Sequence, residues 1–197
     1  MTEGNIPLDY RIICDMVEEH THILDLGCGT GELLHLLSEQ KNTRGQGIEL
    51  SEDAIYQCVE KGISVYHGDI ERGLIEYPDN SFDYVILNES MQEVKNVDYV
   101  MKEALRVGKK IIIGIPNFAY ISARLRIFFV GKVPVTKSLP HRWYDTPNIH
   151  FLSINDFKDY CKEKNIKVLA VRYLGRNHEI KVWPNLFGLN AIFLLTK

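Results

Sequence analysis

Three alternating glycines, in Asp25-Leu26-Gly27-Cys28-Gly29-Thr30-Gly31, stand between two segments of different hydrophobic period. Before them, His22 to Leu26 is short and apolar and reads as a buried strand. After them, Glu32 to Gln40 carries Leu33, Leu34, Leu36 and Leu37 at helical spacing. A chain that passes from buried strand to helix through so few residues needs positive φ and no side chains in the way. Glycine supplies both. A strand–glycine loop–helix unit belongs to α/β architectures, so the rest of the chain is expected to alternate in the same way.

It does so up to Pro116. Ile12, Ile13, Met16 and Val17 mark an opening amphipathic helix. Gly45 to Glu49, Ile63 to Tyr66, Phe82 to Leu87 and Lys110 to Ile115 read as further strands. Ser51 caps the helix after the second strand, with Glu52 and Asp53 complementing its dipole. Pro78-Asp79-Asn80-Ser81 is a turn, and Val97 to Arg106 a helix. Strands that alternate with helices predict a mostly parallel sheet covered on both faces. The rhythm breaks over residues 117–150, where Ile121 to Val130 is helical and Pro140 to Pro147 an ordered loop. Ser153 then caps a helix carrying Phe157, Tyr160 and Cys161, and Lys167 to Leu174 and Ala191 to Leu195 close the sheet. The 197 residues suit a single domain, 1–197, with an inserted helix–loop segment at about 117–150. Long loops inside compact domains are usually functional.

The glycine loop also bears on the ligand. A dinucleotide fingerprint, G-x-G-x-x-G, would place its last glycine at position 32, which holds Glu32. An acid there repels a pyrophosphate entering the helix N-terminus. The observed G-x-G-x-G suits a nucleoside ligand without phosphate, such as S-adenosylmethionine. Glu49 ends the second strand, where a carboxylate can accept from both ribose hydroxyls. Asp69, in His67-Gly68-Asp69-Ile70, follows the third strand, where a carboxylate can accept from an adenine amine. Ligands of open α/β sheets bind at the carboxyl ends of the strands, the edge that carries both acids.

Composition excludes several other functions. The net charge is −3, so no basic excess favours nucleic acid. No apolar run approaches the roughly 20 residues that span a bilayer, and Met1-Thr2-Glu3-Gly4-Asn5 lacks the features of a secretory signal. The expectation is a cytoplasmic protein with neither a membrane nor a nucleic-acid partner. Cys14, Cys28, Cys58 and Cys161 form no C-x-x-C pair, and the seven histidines no H-E-x-x-H. No metal is expected, and Cys14, Cys58 and Cys161 read as small core residues.

Over about residues 20 to 115 these motifs resemble those of class I S-adenosylmethionine-dependent methyltransferases. The resemblance implies a Rossmann-like, seven-stranded, mostly parallel sheet with helices on both faces and a final antiparallel strand. It also implies cofactor contacts: Asp25, Gly27, Cys28, Gly29 and Gly31 around the methionine part, Glu49 and Leu50 at the ribose, Asp69 and Ile70 at the adenine, and Asn88 beside the reactive methyl. A narrower set of motifs spans nearly the whole chain: Gly45-Gln46-Gly47-Ile48-Glu49, Ser81-Phe82-Asp83-Tyr84-Val85-Ile86-Leu87, Ile115-Pro116-Asn117-Phe118 and Trp143-Tyr144-Asp145-Thr146-Pro147-Asn148-Ile149-His150. These resemble the MetW family of methionine biosynthesis proteins, and the last two motifs lie outside the generic cofactor site. That resemblance implies a bacterial protein of methionine biosynthesis associated with a homoserine O-acyltransferase. It implies no defined methyl acceptor.

Two functions fit these residues. One is an accessory or regulatory subunit that keeps the cofactor fold and presents Phe128, Phe129, Trp143 and Tyr144 to a partner, since aromatics favour interfaces. The other is an active methyltransferase on a small molecule or protein. Its candidate acceptor contacts are Glu89, Gln92, Asn117, Tyr144, Asp145 and His150, with Glu89, Asn117, Tyr144 and His150 as catalytic candidates. Leu87-Asn88-Glu89-Ser90 is not the N-P-P-Y type of nucleobase amino-methyltransferases. Glu32 and the missing third fingerprint glycine oppose an NAD-dependent oxidoreductase.

Overall fold

The computed structural model of the chain describes residues 6–136 and 138–197. Seven strands form one sheet: β1 (His22–Leu26), β2 (Arg44–Glu49), β3 (Ser64–His67), β4 (Phe82–Asn88), β5 (Gly108–Pro116), β6 (Lys167–Leu174) and β7 (Asn190–Thr196). Their spatial order is β3-β2-β1-β4-β5-β7-β6. The first five run parallel, and β7 pairs antiparallel with both β5 and β6. The chain winds outward from β1 to β3 and then restarts beside β1 with β4. That reversal opens a crevice at the carboxyl ends of β1 and β4, the usual ligand position in such sheets.

The period of two along each strand sorts the core into two layers. Leu24 and Leu26 of β1, Val85 and Leu87 of β4, and Ile111, Ile113 and Ile115 of β5 face one layer. There they meet Val100, Met101, Ala104 and Val107 of α5 (Val97–Val107), and Ile154, Phe157 and Cys161 of α7 (Ile154–Glu163). Ile23, Tyr84, Ile86 and Ile112 face the other layer. It is filled by Ile12 and Ile13 of α1 (Leu8–Met16), the four leucines of α2 (Glu32–Lys41), and Cys58 of α3 (Glu52–Glu60). Each fully buried side chain of this size contributes about 1.5–3 kcal/mol. The isoleucine-rich β5 is apolar toward both layers, as a central strand buried on two faces must be.

The expected caps form. The Ser51 hydroxyl accepts from the Ala54 N–H at 3.4 Å, and Ser153 and Asp156 make a reciprocal capping box. Two single-turn helices, α4 (Ile70–Gly73) and α8 (Pro184–Phe187), and a 3₁₀ turn at Met91–Glu93 are additions that no periodicity announces. One turn is too short to display a period. Beyond β5, α6 (Ile121–Val130) covers the helical stretch read from the sequence, yet only Ala123 of it is buried. Among the described residues no helix is long and apolar enough to cross a membrane.

Candidate functional site

The glycine loop takes the conformation its composition allows. Gly27, Gly29 and Gly31 have φ of 78°, 53° and 76°, all in the left-handed region. The N–H groups of Gly27 and Cys28 donate to the Ile48 carbonyl at 2.8 and 3.2 Å, which ties the loop to the end of β2. Space there is short: a Cβ on Gly47 would stand 2.3 Å from the Cys28 sulfur. Glu49 completes the tie. Its Oε2 accepts from the Gly29 N–H at 2.8 Å, and its Oε1 accepts from the Leu50 and Ser51 N–H groups at 2.8 Å each. A carboxylate offers about four lone-pair sites, so three occupied sites leave acceptor capacity for a ligand.

Beside this loop lies a cleft of about 490 Å³. It gathers Gly27, Glu49, Leu50, Asp69, Ile70, Asn88 and Glu89, all singled out in the sequence and drawn from the ends of β1, β2, β3 and β4. Asp69 caps α4 by accepting from the Glu71 N–H at 2.9 Å. Ser90 donates to the Leu26 carbonyl at 2.7 Å and holds the segment after β4 against the glycine loop. Asp25, Cys28, Gly29 and Gly31 lie in or before the loop and do not line the cleft wall. Ile48, Gly68, Glu71, Ser90, Glu93, Val94 and Lys95, none of them assigned to the site by sequence reasoning, complete the lining.

The electrostatics of the cleft are one-sided. Glu49, Asp69, Glu71, Glu89 and Glu93 contribute five carboxylates against one cation, Lys95. Burial pushes the Asp25 carboxyl up to about 7, and the nearby Glu49 charge adds to the rise. Burial also raises Glu93, reinforced by Glu49 and opposed by His141 of the inserted segment. Glu89 sits at a left-handed φ of 58°, a sparsely populated conformation for a residue with a side chain. Its carboxylate accepts from the Asn190 amide and is raised by its protein surroundings and by Asp9. Asn88 donates to the Asp9 carboxylate at 2.9 Å, bringing α1 to the cleft's edge.

The remaining candidates separate. Asn117 is buried and spent on structure: its amide donates to the carbonyls of Asn185 and Gly188 at 3.1 and 2.8 Å, and its oxygen accepts from the Ala119 N–H at 3.1 Å. His150 lies 3.0 Å from the Val94 carbonyl through Nε2 and faces a small apolar cavity, not the cleft. Gln92 is buried, and its carbonyl accepts from the Ile149 and His150 N–H groups at 2.9 and 3.0 Å. Tyr144 is exposed and accepts from Arg142 at 2.8 Å, while Asp145 accepts from the Arg142 N–H. The inserted segment is thus pinned along the Gln92–Val94 side of the cleft. Its aromatics face outward: Phe128, Phe129 and Trp143 are 81%, 74% and 73% exposed.

Comparison with known proteins adds three findings. The family described as "Methionine biosynthesis protein MetW" matches residues 7–195. The bifunctional methionine biosynthesis protein MetXA/MetW of Rhodopirellula baltica is 34% identical over 170 residues, which is 82% of this chain but 27% of that protein. The chain therefore spans about a quarter of that relative's length. Among solved structures, a methyltransferase dependent on S-adenosylmethionine from Archaeoglobus fulgidus superposes with a TM-score of 0.71 at 16% identity, covering 96% of this chain and 91% of that one. Another from Thermotoga maritima, described as a possible histamine N-methyltransferase, gives 0.68 at 20% identity, covering 96% and 88%. At such identities the likeness shows the fold.

Proposed function

The chain belongs to the MetW family, and from that premise we propose that it binds S-adenosylmethionine or S-adenosylhomocysteine in the carboxyl-edge cleft and acts beside a homoserine O-acyltransferase. The observation that carries the cofactor reading is the cleft's charge, five carboxylates to one lysine. A dinucleotide would bring its pyrophosphate against that field. S-adenosylmethionine brings a sulfonium and an ammonium against one carboxylate, a net positive ligand that the field attracts. When bound, this cofactor supplies an electrophilic methyl on sulfur. Glu49 would accept from the ribose with its remaining lone-pair capacity, beside Leu50. Asp69 and Ile70 would flank the adenine, the Gly27 backbone the methionine end, with Asp25 acting on it by charge from behind the loop, and Asn88 the methyl.

The acyltransferase reading is supported by the Rhodopirellula relative, whose name joins MetXA and MetW in one bifunctional protein, and by the outward aromatics of the inserted segment. A second reading, methyl transfer to an acceptor, is favoured by Glu89. Its carboxylate stands at the edge of the cofactor cleft with its pKa raised by burial and by Asp9, and a positioned carboxylate can serve as a general base. Calorimetry tests the cofactor: a micromolar dissociation constant for S-adenosylmethionine or its demethylated product is expected, with NAD at least about tenfold weaker. Glu49→Ala is expected to weaken the nucleoside about tenfold or more. NAD bound as tightly as S-adenosylmethionine overturns the reading. Radiolabelled methyl transferred to any species by the purified complex favours the second reading over the accessory one.

A further inference from the structure

Next to the cofactor cleft lies a larger one, of about 610 Å³, and the two share Glu89. It is walled by the start of α1, the loop that leaves β6, and the entry to β7. Its lining carries both charge signs. Asp9 and Glu89 are held by the amides of Asn88 and Asn190, which orient the carboxylates and leave further lone pairs open. Arg11 and Arg176 line the same space, and among the described residues neither guanidinium has a hydrogen bond or ion pair. Asp9 and Arg11 are two residues apart on α1, a spacing at which helical side chains do not face each other. Leu8, Leu174 and Leu189 supply apolar wall.

A cleft with two oriented carboxylates and two unpaired guanidiniums that do not neutralise one another is matched by a ligand with both charges of its own. We propose that this second cleft binds a small zwitterion with an aliphatic body, of the α-amino-acid class. The ammonium sits at Asp9 and Glu89 and the carboxylate at Arg11 and Arg176. A plain anion leaves the acids opposed, and a plain cation leaves the arginines opposed. The placement of this ligand's ammonium end beside the reactive methyl rests on the cofactor reading above; the cleft's own chemistry does not.

The test uses L-norleucine with two analogues that each lack one charge: hexanoate, without the ammonium, and pentylamine, without the carboxylate. Binding to the full chain is followed by ligand-observed NMR, with and without saturating S-adenosylhomocysteine. L-norleucine is expected to bind at least about tenfold tighter than either analogue, since each analogue forfeits a charge-assisted contact. In the double variant Arg11→Ala, Arg176→Ala, L-norleucine and hexanoate are expected to weaken about tenfold or more, while pentylamine binding is kept or tightened as the opposing charges go, and S-adenosylhomocysteine binding stays unchanged. Both arginines are exposed, and retained pentylamine binding reports that the variant is folded. Equal binding of the three probes, no L-norleucine binding at millimolar concentration, or an unaffected double variant overturns the proposal. Failure of S-adenosylhomocysteine to bind the wild type, with the norleucine pattern intact, sinks the cofactor reading and leaves this site standing.

Discussion

Asp25 is an acid whose proton the structure moves into the neutral pH range. It is the penultimate residue of β1, the strand that enters the glycine loop, is only 3% exposed, and is held near a pKa of about 7 by burial and by Glu49. Its folded pKa lies above its unfolded one, so the native state holds a proton that the unfolded chain has lost between about pH 4 and 7. Stability contributed by this group is therefore present at low pH and falls as pH rises through 7. Asp25→Asn is expected to flatten that decline and to be the more stable protein at pH 8, as read in thermal melts. A cation bound nearby reverses the preference, because it favours the ionised carboxylate. S-adenosylmethionine affinity should then rise between pH 6 and 8, with proton release in calorimetry. If binding lowers the Asp25 pKa by about one unit, the gain is about tenfold. A flat affinity profile, or the same profile in Asp25→Asn, removes Asp25 from the site. The raised pKa could not be read from the sequence, which shows an acid at a strand end but not that it is enclosed beside a second one. The gathering of Glu49, Asp69 and Asn88 around one cleft was legible for the opposite reason, since it follows from their position at strand ends. Glu93, Asp9 and Asn190 were not, because only the three-dimensional path of distant segments brings them to the clefts.

At the level of elements, the strands and long helices were readable because each carries enough apolar residues in sequence to display a period or an apolar run. The single-turn α4 and α8 and the 3₁₀ turn were not, and α6 was readable as a helix but not as an exposed one. The glycine loop itself divides in a way the motif does not reveal. A Cβ at Gly29 meets nothing within 4 Å, so Gly29→Ala bears only the backbone cost of a φ of 53°, about 1–2 kcal/mol. A Cβ at Gly31 meets the Cys58 sulfur at 2.9 Å on top of a φ of 76°. Gly31→Ala is therefore expected to melt lower than Gly29→Ala, whose midpoint falls by roughly 2–4 °C per kcal/mol for a chain this long. Gly29→Ala should nevertheless lose cofactor affinity, because relaxing its φ withdraws the N–H that fixes the Glu49 carboxylate. Equal melting points for the two variants contradict the steric assignment, and full cofactor binding by Gly29→Ala contradicts the loop's role.

Across the whole molecule, charge and apolar exposure are concentrated together. Residues 117–150 carry five lysines and arginines and one aspartate, a net +4, which leaves −7 on the rest of a chain whose total is −3. In the same segment Leu125, Ile127, Phe128, Phe129 and Val130 of α6 are exposed, as are Trp143 and Tyr144. A monomer rarely leaves so much apolar surface in contact with water, and such surface usually marks an interaction site. The segment's own charges are almost all positive, so a complementary partner face would carry acids around an apolar groove. For the acyltransferase association proposed above, this predicts two behaviours. Added salt should weaken the complex, mainly by slowing association, as screening removes the attraction between the rims. Phe128→Ala with Phe129→Ala should weaken it by about 2 kcal/mol or more, roughly thirtyfold, as aromatic anchors do. Neither ring is buried, so the melting point should not move, and S-adenosylhomocysteine binding should stay within about twofold because the cofactor cleft is lined by other elements. Trp143→Ala with Tyr144→Ala provides a second reading of the same face, for the pair stacks edge to face with centroids 5.6 Å apart. Association measured by biosensor for both pairs across a salt series decides the matter. If the variants stay folded and bind undiminished at every salt concentration, the partner engages a different surface and the inserted segment serves the cofactor cleft alone.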